Sequence, residues 1–214
     1  MGKVGVLRFP GTNCDQDVIQ LCESQGLSAQ YLWYQDRFSY QEYTHLIIPG
    51  GFSFGDYLRC GALAARSPAM KDVSLAAKHG TPILGICNGF QILCESGLLP
   101  GVLMKNDKNH FIDRWVDLKC ITGSRFFGQN LHAGRSVRFP IAHGEGRFFA
   151  HEDQLKEIQD HEQIWLQYAK NPNGSLLDIA GITNKEKNVH GLMPHPERAV
   201  FQWMGGVDGA GFIR

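Results

Sequence analysis

Cys87 sits in the run Gly85-Ile86-Cys87-Asn88-Gly89, with a glycine two positions to either side. A nucleophile flanked in this way, with a strand before it and a helix after it, stands on a tight, strained turn that presents its reactive atom. The glycines let neighbouring chain approach where a Cβ would clash. The helix adds unpaired amides and the positive end of its dipole, which favour thiolate over thiol and can face a developing oxyanion. The chemistry this predicts is acyl transfer through the cysteine.

Such a thiol needs a base, and the base needs a group that holds its tautomer. Of nine histidines, His195 in Met193-Pro194-His195-Pro196-Glu197 has the best context, because it follows the last predicted strand and has a carboxylate two residues on. The flanking prolines favour extended backbone, in which positions two apart point the same way, so Glu197 is expected to orient His195 toward Cys87. His45, His79, His110, His132, His151, His161 and His190 stand singly, without a partner at ligand spacing. In His143-Gly144-Glu145-Gly146 two glycines would expose His143 and Glu145 on a flexible loop, read as a substrate-side or interface loop. Two ligands without a third make a poor metal site there, and no metal is expected.

The elements that must position these groups alternate. Val4 to Phe9, His45 to Ile48 and Pro82 to Ile86 are short apolar runs ending in turn signals, as buried parallel strands do. Between them lie helical patterns from Cys14 to Gln25, closed by Gly26, and from Ser67 to His79, with Ser67 as N-cap, Pro68 first in the helix and Gly80 behind it. Asn88 to Ser96, closed by Gly97, gives the helix after Cys87. From Trp115 the pattern becomes β-rich: Trp115 to Ile121, Ser136 to Ile141, a charged helix from Glu152 to Gln159, then Ile164 to Tyr168, Ile179 to Thr183 and Val189 to Met193. The class is α/β, a doubly wound and mostly parallel sheet of flavodoxin-like type. The second half adds antiparallel strands at one edge before the chain returns to the centre.

The 214 residues contain no long linker, repeat or low-complexity tract, so one domain over 1–214 is expected. Hydrophobic residues at 43% supply an ordinary core, and 21 basic against 21 acidic residues give no field that would draw nucleic acid or a membrane surface. The first apolar run is too short for a signal or a spanning helix, which places the protein in the cytoplasm. Met1-Gly2 resembles a myristoylation start, but Gly5 to Leu7 reads as buried strand. Cys14, Cys22, Cys60, Cys94 and Cys120 are scattered without a CxxC pair and read as structural thiols.

Pro49-Gly50-Gly51-Phe52-Ser53-Phe54-Gly55-Asp56-Tyr57 leaves a strand at the same sheet edge as Cys87, and its glycines free backbone N–H groups to face a reacting oxygen. No Gly-Lys-Ser/Thr follows, so it is not a phosphate loop. Gly85 to Gln91 together with His195-Pro196-Glu197 resembles the class I glutamine amidotransferases. Phe9 to Asp15, Pro49 to Gly61, His143 to Gly146 and Met193 to Ala199 are similar to the glutaminase subunits of phosphoribosylformylglycinamidine synthases within that family. These blocks span residues 9 to 199. The chain stops at 212–214, where the family usually continues into a longer last helix.

The resemblance implies that Cys87 attacks the glutamine side-chain amide, that His195 is its base and acid, and that Glu197 holds His195. It further implies an oxyanion hole of Gly51 and the Asn88 amide, with Phe52 beside it and Gln91 holding the glutamine backbone. His143, Glu145, Tyr57 and Arg59 fall on a substrate-side or interface region. Ammonia would pass to a large synthetase subunit that uses ATP and Mg2+ to convert formylglycinamide ribonucleotide to the amidine, with a small third subunit bridging the two. No cofactor is implied in this chain. Two other readings are a free-standing cysteine hydrolase of related fold, which would turn over fully alone, and a non-catalytic interaction subunit, whose Cys87 would be inert.

Overall fold

A computed structural model describes residues 2–128 and 131–213. Met1 of the Met1-Gly2 pair and Arg214 of the terminal 212–214 segment lie outside the described residues. In chain order the elements are β1 (Lys3–Arg8), α1 (Asp15–Ser24), β2 (Ser28–Trp33), β3 (His45–Ile48), α2 (Pro68–Lys78), β4 (Ile83–Ile86), α3 (Asn88–Glu95), β5 (Val102–Met104) and β6 (Ile112–Cys120). They continue with β7 (Ser136–His143), β8 (Arg147–Phe149), α4 (Glu152–Asp160), β9 (Ile164–Tyr168), β10 (Ile179–Thr183) and β11 (Val189–Leu192).

Among the described residues, one sheet of nine strands runs β2-β1-β3-β4-β11-β10-β9-β6-β7, and β5 and β8 form a separate two-stranded ladder. Its first five strands are parallel and the remaining pairings antiparallel. β3, β4 and β11 are buried at every residue, as central strands covered on both faces must be. In β6 the inward Val116, Leu118 and Cys120 alternate with outward Asp117 and Lys119, the pattern of a sheet with one wet face.

The chain leaves the parallel half after β4, builds the antiparallel half, and returns through β10 to insert β11 beside β4. That return decides where the chemistry sits. Ile86 of β4 pairs with Leu192 of β11, so Cys87 and Met193 leave the sheet side by side, and Cys87 N donates to Leu192 O at 2.8 Å. β3 reaches Gly85 at Ile48, which brings the Pro49 loop to the same edge. This carboxyl edge is where open α/β sheets bind ligands.

β2, the β5–β8 ladder and the cap of α2 differ from the sequence expectation. β2 was hidden because it is an edge strand with Leu32 as its one buried side chain, so Ser28 to Trp33 carries little apolar signal. Ser67 does occupy the N-cap of α2, but its side chain makes no capping hydrogen bond and its Oγ is buried without a partner.

Candidate active site

Cys87 stands between β4 and α3 with φ 51° and ψ −104°, a backbone region that side chains avoid. Strain of this kind persists only where the surroundings enforce it. Here the enforcing contact is packing: a Cβ on Gly89 would lie 1.9 Å from Ile48 O, so only glycine lets the first turn of α3 press against β3. Gln91 N donates to Cys87 O at 3.1 Å and starts the helix. The thiol is 5% exposed, with Sγ 3.8 Å from Ala142 O.

His195 is placed by the loop after β11, and its backbone N–H donates to Pro140 O at 2.9 Å. Its Nδ1 lies 2.6 Å from Glu197 Oε1, and the two side chains are 2% and 0% exposed. The pair is made by a 3-10 turn over Pro196–Arg198, not by the extended chain that the prolines suggest. Because a carboxylate can only accept, Nδ1 carries the hydrogen and Nε2 faces the thiols without another acceptor. Burial opposes charge on His195, but Glu197 and Cys87 together outweigh it and hold the imidazole well above its ordinary value. An imidazolium beside Cys87 is the form that supports a thiolate.

Gly50 is the hub of this arrangement. A Cβ there would lie 2.8 Å from His195 Cε1, 3.0 Å from Cys14 Sγ and 3.4 Å from Cys87 Cβ. Gly50→Ala is therefore expected to keep the fold and lower turnover by about 100-fold, since displacing a reacting group by about 1 Å costs that much. Thermal melts beside initial rates check this. A stable variant with unchanged rate would show that the spacing has slack.

A cavity of about 220 Å3 opens over Cys87. Gly51, Phe52, Gln91 and the segment His143 to Glu145 line it together with the thiol. Gly51 has φ +146°, which glycine alone adopts readily, and a Cβ would meet Asn13, Thr12 and Gly11 backbone within 2.8 Å. Asn88 accepts from Ser53 N at 3.2 Å and donates to Gln91 Oε1 at 2.8 Å, linking the elbow to the glycine loop. Gln91 Nε2 donates to Glu145 O at 2.5 Å. In this structure the Gln91 amide thus ties α3 to the His143 to Glu145 segment of the cavity lining.

His143 is a correction to the exposed-loop reading. It is the last residue of β7 and 3% exposed, and its Nδ1 donates to Asn106 Oδ1 at 3.1 Å. Asn106 Nδ2 donates to His110 O and His143 O, which fixes the amide's orientation and hence the histidine tautomer. Burial, then the His195 charge, lowers His143 to about 3, so it is neutral. Tyr57 is 74% exposed and lies outside the cavity wall. Arg59 also lies outside it and pairs with Glu95 at 2.5 Å. The structure therefore gathers Cys87, His195, Glu197, Gly51, Phe52, Gln91, Asn88, His143 and Glu145, and leaves Tyr57 and Arg59 on the surface around them.

Sequence reasoning missed Cys14, Arg198 and Asp56. Cys14 is buried beside His195, with Sγ donating to Asn13 Oδ1 and accepting from Arg198 at 3.2 Å each. Among the described residues, Cys14, His195 and Glu197 are the one group whose ligand atoms lie within 4.8 Å of one another. The Arg198 guanidinium against the same sulfur opposes a metal cation there. Asp56 lines the cavity from a left-handed position at φ 56°. It lay inside the Pro49 to Gly61 block, but nothing in its spacing marks it.

No helix among the described residues is long and apolar enough to cross a membrane. The family described as CobB/CobQ-like glutamine amidotransferase domain matches residues 1–208. The structure of PurLQS from Thermotoga maritima is 43% identical, covers 98% of this chain and 95% of its own, and superposes with a TM-score of 0.89. A glutamine amidotransferase from the same organism, 18% identical with TM-score 0.61 over 92% of this chain and 76% of its own, shares the fold. An elbow cysteine facing a carboxylate-held histidine, and a family match over almost the whole length, lead to one conclusion: this chain belongs to the glutamine amidotransferase family.

Proposed function

We propose that this chain is the glutaminase subunit of a phosphoribosylformylglycinamidine synthase. The observation that carries the chemistry is the buried His195–Glu197 pair at 2.6 Å, placed beside the strained Cys87 by the β4–β11 pairing. Likeness to the PurLQS structure along 98% of the chain supports the assembly.

Cys87 thiolate attacks the side-chain amide carbon of glutamine, and the carbonyl oxygen becomes an oxyanion facing the amides of Gly51 and Asn88. Imidazolium at His195 gives its proton to the amide nitrogen, the C–N bond breaks, and ammonia leaves. The neutral imidazole then takes a proton from water, whose oxygen attacks the thioester. Glutamate departs, and thiolate and imidazolium are restored. Acid–base work of this kind contributes about 10²–10⁴-fold.

The ammonia passes to a large synthetase subunit that uses ATP and Mg2+, with a small subunit bridging the two, in the cytoplasm. Tyr57 and Arg59, exposed near the cavity, fall on the docking side. The chain itself uses no cofactor. The test supplies glutamine, ATP and formylglycinamide ribonucleotide to the chain mixed with a synthetase. Glutamate release is expected to couple to ADP formation in equal amounts. Glutamate release that ignores the synthetase and its substrates would overturn the assembly and favour a free-standing hydrolase.

A further inference from the structure

Cys14 is a second thiol against the catalytic histidine, with no part in the bonds made and broken at Cys87. Its Sγ lies within 4.8 Å of a ring nitrogen of His195 and of a Glu197 carboxylate oxygen. A Cβ on Gly50 would sit 3.0 Å from that sulfur and 2.8 Å from His195 Cε1, so sulfur and imidazole meet across a position that glycine leaves free.

A core thiol usually packs as a small apolar group, whereas polar groups hold this one. Cys14 N donates to Gly50 O at 3.2 Å, and Cys14 caps α1, where Val18 N donates to Cys14 O at 3.1 Å. The S–H donates to Asn13 Oδ1, and Arg198 Nη2 donates to the sulfur, both at 3.2 Å. Arg198 is fixed in turn by Nε on Asp17 Oδ2 at 3.0 Å. With its hydrogen on Asn13 and one lone pair on Arg198, the sulfur keeps a second lone pair for the imidazole edge. Burial pushes Cys14 up against the pull of the His195 and Arg198 charges, so it stays a thiol. It is 2% exposed and is not among the described residues that line the cavity over Cys87, which keeps it from the substrate.

The two halves of glutamine hydrolysis ask different things of His195. In the first, the imidazolium faces the Cys87 thiolate. Once the thioester has formed, Cys87 sulfur carries the acyl group and no charge. Glu197 grips Nδ1 at 2.6 Å, a single contact about which the ring can still turn. Nε2 must nevertheless keep its aim while it takes a proton from water, and positive charge returns to the ring with the thiolate gone. Against burial, the Glu197 and Cys87 charges and the contacts with both sulfurs favour the charged ring. Cys14 is the sulfur that stays in place throughout.

We propose that Cys14 is a positioning residue for the second half of the reaction: its sulfur, set by Asn13 and Arg198, holds the His195 ring while Cys87 is tied up as the thioester. The inference rests on the glutaminase reading and adds a step-specific role to it.

Rapid quench of the chain with its synthetase partner and glutamine reads two rates. One is formation of the γ-glutamyl adduct on Cys87 with release of ammonia, and the other is decay of that adduct to glutamate. Cys14→Ala is expected to slow decay roughly tenfold or more and to keep formation within about threefold, since a misaimed base loses much of its contribution. The adduct then accumulates during turnover. Cys14→Ser still donates to Asn13 and accepts from Arg198 and the ring, and its decay rate should stay within about threefold of the unaltered chain. Arg198→Met, at a half-exposed side chain, should slow decay about fivefold and leave formation unchanged, as loss of one hydrogen bond does. It tests the same chain of contacts should Cys14→Ala fail to fold, which thermal melts reveal. Equal losses in both rates would make Cys14 a structural residue and overturn the inference. So would unchanged decay in a folded Cys14→Ala or in Arg198→Met, or a serine variant as slow as the alanine one. An unaltered enzyme that released no ammonia from glutamine would instead fail the glutaminase reading, an outcome that the variants alone cannot produce.

Discussion

Replacing Cys87 with alanine is expected to abolish glutamine hydrolysis, by a factor on the order of 10⁴ or more, while the fold survives. In the proposed mechanism the sulfur is the protein atom that bonds to the acyl carbon, and removal of a nucleophile leaves only the modest rate that binding and the oxyanion donors provide. Stability should change little, because the hydrogen bond that Cys87 Sγ donates to Ala142 O is long, 3.8 Å, and the strained backbone is enforced by Gly89 against β3 and by Cys87 N on Leu192 O. Initial rates of glutamate release, together with a thermal melt, check both halves. Retained hydrolysis would move the nucleophile elsewhere.

Glu197→Gln should be nearly as damaging, with a loss of about 10³–10⁴-fold in kcat. A carboxylate at 2.6 Å fixes Nδ1–H and leaves Nε2 for the thiol, whereas a carboxamide can present N–H to Nδ1 and select the wrong tautomer. The variant has a second signature in stability. His195 is held above its ordinary value of 6.5 in the folded chain. Its protonation therefore contributes stability fully below about pH 6.5, and that contribution is lost as pH rises through the folded value. Without Glu197 the buried imidazole has less reason to charge, so the stability gap between the unaltered chain and the variant should be widest at mildly acid pH and shrink on the alkaline side. Thermal melts across pH read this directly. A gap independent of pH would mean that the pair is not ionised.

Much of the fold could be read from residues whose burial leaves a plain signature. β3, β4 and β9 to β11 are runs of apolar residues, and α2 and α4 carry proline or acidic residues at their starts. The return of β11 beside β4 was legible as well, because only that return brings Met193 to Pro196 to the Cys87 edge. What escaped depends on neighbours distant in sequence. β2 is an exposed edge strand, and the β5–β8 ladder has three residues in each strand. His143 is buried because Asn106, on the segment between β5 and β6, clamps it, and its own glycines suggest the opposite.

The site divides along the same line. Cys87 is marked by flanking glycines that packing demands, and His195 and Glu197 by spacing. Their pairing is real, yet a 3-10 turn makes it, so the extended-chain geometry gave a correct pair for a wrong reason. Cys14 and Asp56 carry no local mark. One reaches His195 through the crossing at Gly50, and the other reaches the cavity through a left-handed turn.

The central claim is that a covalent glutamyl group forms on Cys87 and nowhere else. Rapid quench during turnover with the synthetase partner, followed by intact-mass and peptide analysis, measures it. A γ-glutamyl adduct confined to the Cys87 peptide, absent from Cys87→Ala and released by water as glutamate, is the expected result. Glutamine hydrolysis at full rate with no adduct on Cys87, or with the adduct on another residue, would contradict it.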